Sequence, residues 1–163
     1  MANPNNITRL LDSKKIPYQA FELPAEKLGA LETAHWLGVD PELVYKTIVI
    51  TQPKGKPILA VIPGPNRVDL KLLAKALSEK KVILPTEREA EALTGLQAGG
   101  ISPLALVNKG FQVVIDSAAK SKSEVHVSGG QRGLNIRLPV DALAGLTHAR
   151  FARVSIPDMD DPD

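Results

Sequence analysis

The sequence predicts a single α/β domain built on a mixed sheet. Three observations carry that expectation. Several short segments repeat apolar residues at helical spacing, while Thr47–Thr51 (TIVIT) and Ile58–Ile62 (ILAVI) are β-branched and almost continuously apolar, as central strands are. Glycine, proline and asparagine punctuate the chain between these segments. No repeat or internal linker divides the 163 residues, a length that suits one domain with a sizeable core.

Taken in order, Ile7–Ser13 reads as a helix with Ile7, Leu10 and Leu11 on one face, and YQAFEL after Pro17 as an extended stretch. Leu28–Leu37 is a second helix stopped by Gly38. Asp40, Pro41 and Glu42 form an N-cap, a first-turn proline and an acidic first turn, which opens a short helix reaching about Tyr45. TIVIT and ILAVI flank QPKGKP and so form a hairpin. Asp69 caps a helix through Leu77, and Val82–Leu84 reads as a short strand. Thr86 and Glu89 make a capping box for a helix that Gly95 closes. Phe111–Asp116, Glu124–Val127 and Leu134–Leu138 are strands, the last two joined by SGGQRG. A helix over Asp141–Leu146 precedes a terminal strand in ARFARVSI. The domain is expected over residues 1–157, with residues 158–163 as a disordered acidic tail.

Composition narrows the chemistry. Without a cysteine there is no disulfide, thiolate metal site or enzyme-borne thiol nucleophile. His35, His126 and His148 show no paired ligand spacing, so no metal is expected. No apolar run approaches 18 residues and the N-terminus has no apolar signal core, so the expectation is a cytoplasmic protein without a membrane partner. The tail carries Asp158, Asp160, Asp161 and Asp163; setting aside these four charges leaves a body of +6 against +2 for the whole chain. That balance suits a phosphate-bearing partner.

Lys46 stands where a predicted helix meets the apolar strand VYKTIVI. One reading is a lysine snorkelling from a strand end; the other is a cation aimed into a pocket. The loop QAGGISP sets adjacent glycines and Ser-Pro within apolar surroundings. It is either a tight turn or a nest whose N–H groups lie against a ligand. VSGGQRGL is a second glycine-rich loop that lacks the phosphate-loop pattern and reads first as a hairpin turn. The lysines of Lys71–Lys81 form a solvated face or meet a nucleic-acid backbone. No Ser-His-Asp or Cys-His arrangement and no carboxylate pair stands out.

Together, VYKTIVI, LTGLQAGGISPL and VSGGQRGLNIRL resemble the YbaK/EbsC family, the prolyl-tRNA synthetase-associated editing domain, over about residues 5–155. The resemblance implies a mixed α/β fold with a curved central sheet flanked by helices. It also implies a free-standing, cofactor-independent aminoacyl-tRNA deacylase, the YbaK type clearing cysteine from proline tRNA. Lys46 takes the catalytic position. Phe21, Thr47, Gly99, Gly100, Ile101, Ser102, Pro103, Ser128, Gly129, Gly130 and Asn135 take the substrate-binding positions. On this reading the bare backbone at Gly99 and Gly100 leaves room for the aminoacyl end of the terminal adenosine. Aminoacylated tRNA and a prolyl-tRNA synthetase are the implied partners, with no DNA. Phe21 lies where the YbaK type has tyrosine, and RGLNI places Asn135 where it has aspartate. The aspartate-to-asparagine change leaves open a deacylase of different amino-acid specificity and motivates a competing reading, a non-catalytic tRNA-end or nucleotide-binding module; a third reading is a structural or regulatory partner of a synthetase.

Overall fold

The structure is a computed structural model that describes residues 5–159. Helix α1, Asn6–Ser13, is N-capped by Asn5, whose Oδ1 accepts from the Thr8 N–H at 2.9 Å. Strand β1, Gln19–Glu22, leads to α2, Ala30–Leu37, which ends at Gly38 in the left-handed conformation with φ +67°. The stretch expected to be a short helix after Asp40 is a 3-10 turn, Pro41–Leu43. The chain then enters β2, Tyr45–Ile50, two residues earlier than the apolar pattern indicates. Lys46 therefore lies inside a strand and not at a helix junction.

Strand β3, Ile58–Pro63, is buried at every residue and carries the centre of the fold. It pairs antiparallel with β2 and parallel with β5, Gln112–Asp116, which in turn pairs parallel with β8, Arg150–Ala152. That four-stranded sheet, in the order β2-β3-β5-β8, is mixed as expected. The strands outside this mixed central sheet form two further sheets. Strands β6, Glu124–Ser128, and β7, Leu134–Pro139, form a hairpin, and β1 joins it to make a separate antiparallel sheet. One parallel bridge, Val44 to His126, ties the two sheets. A two-stranded pair adds β4, Asn66–Val68, to β9, Ser155–Pro157.

Alternation explains the two apolar layers. Leu59 and Val61 of β3, with Val113 and Ile115 of β5, pack on Val125, Val127, Ile136 and Leu138 of the second sheet. Helix α1 and helix α5, Val140–Thr147, close that layer through Ile7, Leu11 and Leu143. The opposite face of the first sheet, with Ile58, Ala60, Ile62 and Val114, is covered by α3, Leu70–Ala76, through Leu73 and Ala74. Full burial of one such side chain contributes about 1.5–3 kcal/mol. On the second sheet the residues pointing away from the first layer include Phe21, His126, Ser128 and Asn135, which share one face by register.

Other departures have local causes. Helix α4, Glu87–Thr94, has its predicted capping box between Thr86 and Glu89 and ends at Gly95 with φ +72°. The strand expected at Val82–Leu84 is reduced to one bridge, Ile83 with Thr51, because Pro85 cannot extend a ladder. The terminal strand splits into β8 and β9. The cause is Asp116, whose buried carboxylate accepts from the N–H of Val154 at 3.1 Å and the hydroxyl of Ser155 at 2.7 Å. Asp158 donates its N–H to Pro65 and so continues past the expected domain end, whereas residues 160–163 lie outside the described residues.

Candidate active site

Strand β2 is the outer strand of its sheet, and a cavity of about 630 Å³ opens beside it. The volume is that of a small-molecule site. Its wall comes from segments distant in sequence: Leu23 to Thr33, β2 itself, Leu84 to Ile101, and the ends of β6 and β7. Of the residues singled out from sequence, Lys46, Thr47, Gly99, Ile101, Ser128 and Asn135 meet there.

Lys46 is half-buried and its Nζ donates to the Gly64 carbonyl at 3.0 Å. Gly64 must be bare, since a Cβ would stand 2.9 Å from Ala30 Cβ and 3.0 Å from the Val44 oxygen. The turn after β3 thus lies tight against the start of α2 and offers its carbonyl to the ammonium group. Ser128 sits at the end of β6, where its Oγ accepts from the Gly130 N–H at 3.2 Å.

Asn135 is buried on β7, not solvent-facing, and its Oδ1 lies 2.8 Å from His126 Nδ1. His126 is equally buried, and burial holds its pKa below the ordinary value. The Asn135 hydrogen bond acts in the opposite direction but is the lesser effect. The imidazole is therefore neutral, and since Oδ1 can only accept, Nδ1 carries the proton. What Asn135 retains for the cavity is its Nδ2 donor. The Phe21 ring stands 5.6 Å from the His126 ring. Phe21 is thus a neighbour of the pair, placed opposite Asn135 across β1 and β7, and it does not line the cavity.

The remaining loop residues pack within the fold and do not line this cavity. A Cβ on Gly100 would stand 2.9 Å from Gln131 Cα and 3.1 Å from the Arg132 nitrogen, so one glycine loop lies directly on the backbone of the other. Arg132 Nε fastens the same contact by donating to the Ala98 carbonyl at 2.8 Å. Gly129 packs under Leu134, and Gly130, at φ +89°, faces Ile7. Ser102 is fully buried and caps the 3-10 turn Pro103–Leu106 by accepting from the Leu104 N–H. Pro103 lines a different cavity, with Lys56 and Arg150.

Several lining residues carried no readable signal in the sequence. Thr33 is buried and donates its hydroxyl to the Gly29 carbonyl, while Glu32 accepts from the Gly29 N–H. Lys27 and Glu87 form an exposed ion pair at 2.7 Å on the rim, of a kind worth little to stability. Tyr45 has a buried hydroxyl without a hydrogen-bond partner among the described residues, and burial raises its pKa so that it stays protonated. His126, which stands against Asn135 without lining the cavity, could have been suspected as a histidine inside an apolar strand pattern. Among the described residues no group of three histidine, aspartate or glutamate side chains is placed to hold a metal ion.

A model of the aminoacyl-tRNA editing domain matches residues 26–146, most of the chain. EbsC of Enterococcus faecalis, whose name carries a provisional Cys-tRNA(Pro)/Cys-tRNA(Cys) deacylase assignment, is 36% identical over 152 residues, 92% of each chain. A solved structure described as a provisional trans-editing enzyme for prolyl tRNA synthetase is 25% identical with TM-score 0.80, covering 95% of this chain and 99% of its own. The solved structure of a hypothetical protein, APE2540, shares the fold with TM-score 0.85 at 24% identity, covering 93% of this chain and 100% of its own. The chain therefore belongs to the aminoacyl-tRNA editing domain family, and its function is aminoacyl-tRNA editing by deacylation.

Proposed function

We propose that the chain is a free-standing, cytoplasmic trans-editing enzyme that removes cysteine from mischarged tRNA(Pro), with a prolyl-tRNA synthetase as a working partner. The observation that carries this reading is the convergence of Lys46, Gly99, Ile101, Ser128 and Asn135 on one cavity sized for an aminoacylated nucleoside. The 36% identity to EbsC supports cysteine and proline tRNA as the first pair to test.

An aminoacyl ester is already activated, so orientation and stabilisation of the developing oxyanion supply much of the rate. Lys46 offers the charge for that oxyanion. With a cysteinyl substrate, the substrate's own sulfur attacks the ester carbon. A carbon–sulfur bond forms, the carbon–oxygen bond to the ribose breaks, and the thiol proton ends on the ribose oxygen. With other amino acids a water molecule attacks, its oxygen forming the acid and its proton passing to the ribose.

The bond between Asn135 and His126 favours a second reading, a deacylase of different amino-acid preference. An amide cannot offer charge to a substrate ammonium as a carboxylate does. Turnover on Cys-, Ala- and Ser-charged tRNA(Pro) tests both. Fastest release of cysteine supports the first reading and fastest release of alanine or serine the second. Binding of all three without release shows a tRNA-end-binding module.

A further inference from the structure

We infer that the open edge of β2 is a main-chain reader for a purine that presents an amine beside an unprotonated ring nitrogen, the edge offered by the 3′-terminal adenosine of a tRNA. The inference rests on the aminoacyl-tRNA reading above.

The Gly64 N–H donates to the Val44 carbonyl at 2.7 Å, which sets the sense of the ladder between β2 and β3. Lys46, Ile48 and Ile50 turn their main-chain groups toward β3, so Tyr45, Thr47 and Val49 turn theirs outward. At Thr51 the outward groups are closed by Ile83, at 2.9 and 2.8 Å, and at the other end Val44 bridges His126. In the register set by Thr51 and Ile83, the residue facing Val49 is Pro85, which has no N–H to give. Pairing stops there.

Every residue from Val44 to Val49 lines the cavity. A strand showing only one face would contribute alternate residues, so the wall here is the main chain itself. Along it the Thr47 carbonyl and the Val49 N–H stand next to each other, an acceptor beside a donor. Adenine offers the complement, the N6 amine to the carbonyl and N1 to the N–H. Leu84, 55% exposed, and Pro85 line the same cavity and give the base an apolar surface to lie on.

The probes are AMP and IMP, which share sugar and phosphate but present reversed donor and acceptor positions on the base. Titration of 15N-labelled protein should show AMP binding at least tenfold tighter than IMP, with the Val49 amide among the largest shifts. Equal affinity, binding of neither nucleotide, or shifts confined to other surfaces overturns the inference. Replacing the Val49 amide by a backbone ester removes the donor and keeps the side chain and the ladder to β3. The AMP-to-IMP ratio should fall to near one with the melting temperature held, and an unchanged ratio counts against the reader. Selective AMP binding without deacylation of any charged tRNA would sink the editing reading alone. Normal deacylation with equal AMP and IMP binding would sink this inference alone.

Discussion

His126 Nδ1 and Asn135 Oδ1 lie 2.8 Å apart, both side chains almost wholly buried, on the face of the β1-β7-β6 sheet that carries Asn135 into the cavity wall. The pair is neutral, and it leaves the Nδ2 end of the amide for the cavity. A carboxylate at position 135 would sit against the same imidazole and favour its protonated form. The asparagine therefore sets both the polarity of the site and the charge of its neighbour.

Asn135→Asp should raise the His126 pKa and increase cysteinyl deacylation if the pocket otherwise suits cysteine. NMR titration of the imidazole checks the first effect, and single-turnover deacylation of Cys- and Ala-charged tRNA(Pro) the second. A gain confined to cysteine supports a cysteinyl pocket altered at this residue. A loss on alanine would show the amide tuned to that substrate.

Lys46→Ala should cut deacylation at least tenfold, about 1.4 kcal/mol of transition-state stabilisation. The lost ammonium group donates to Gly64 from within the cavity wall. Single-turnover rates beside a melting curve are the check. Near-normal turnover in a folded variant rejects the catalytic role.

Gly100→Val should destabilise the protein by about 1–3 kcal/mol, as overpacking does. The new Cβ would stand 2.9–3.1 Å from the backbone of Gln131 and Arg132, which cannot retreat without moving the β6–β7 hairpin. From the sequence alone one expects lost activity with stability kept. The urea midpoint decides between the two.

Stability should decline as pH falls below about 6.5, the ordinary histidine value. Burial depresses the His126 pKa in the folded state, so its contribution is complete above the unfolded value. As pH drops toward the folded value, the unfolded chain takes up a proton that the folded chain refuses, and stability is lost across that window. Urea midpoints at pH 7.5 and 5.5 measure the slope. In His126→Gln, whose amide can still donate to Asn135, the slope should flatten; an unchanged slope assigns the effect elsewhere.

Local physics made much of the fold legible. The caps at Asn5, Asp69 and Thr86 and the left-handed stops at Gly38 and Gly95 act within a few residues of themselves, so their positions follow from residue type. Ile58–Ile62 announces a buried strand because a strand covered on both faces has no polar side to display. The three motifs were also enough to suggest the family. Long-range pairing was not legible. Nothing near Val154 shows that Asp116 will hold its N–H, nor that the terminal strand will split there.

The site divides in the same way. Sequence alone marked Lys46 and the two glycine loops as unusual, since a cation at the start of an apolar strand and adjacent glycines are local facts. Only the tertiary structure decided that Gly99 lines the cavity while Gly100 is pressed onto the other loop. Only it placed His126 against Asn135 and left the edge of β2 open. The physical reason is that a side chain's role depends on what lies across from it, and the partners here come from strands brought together by burial, not by sequence neighbours.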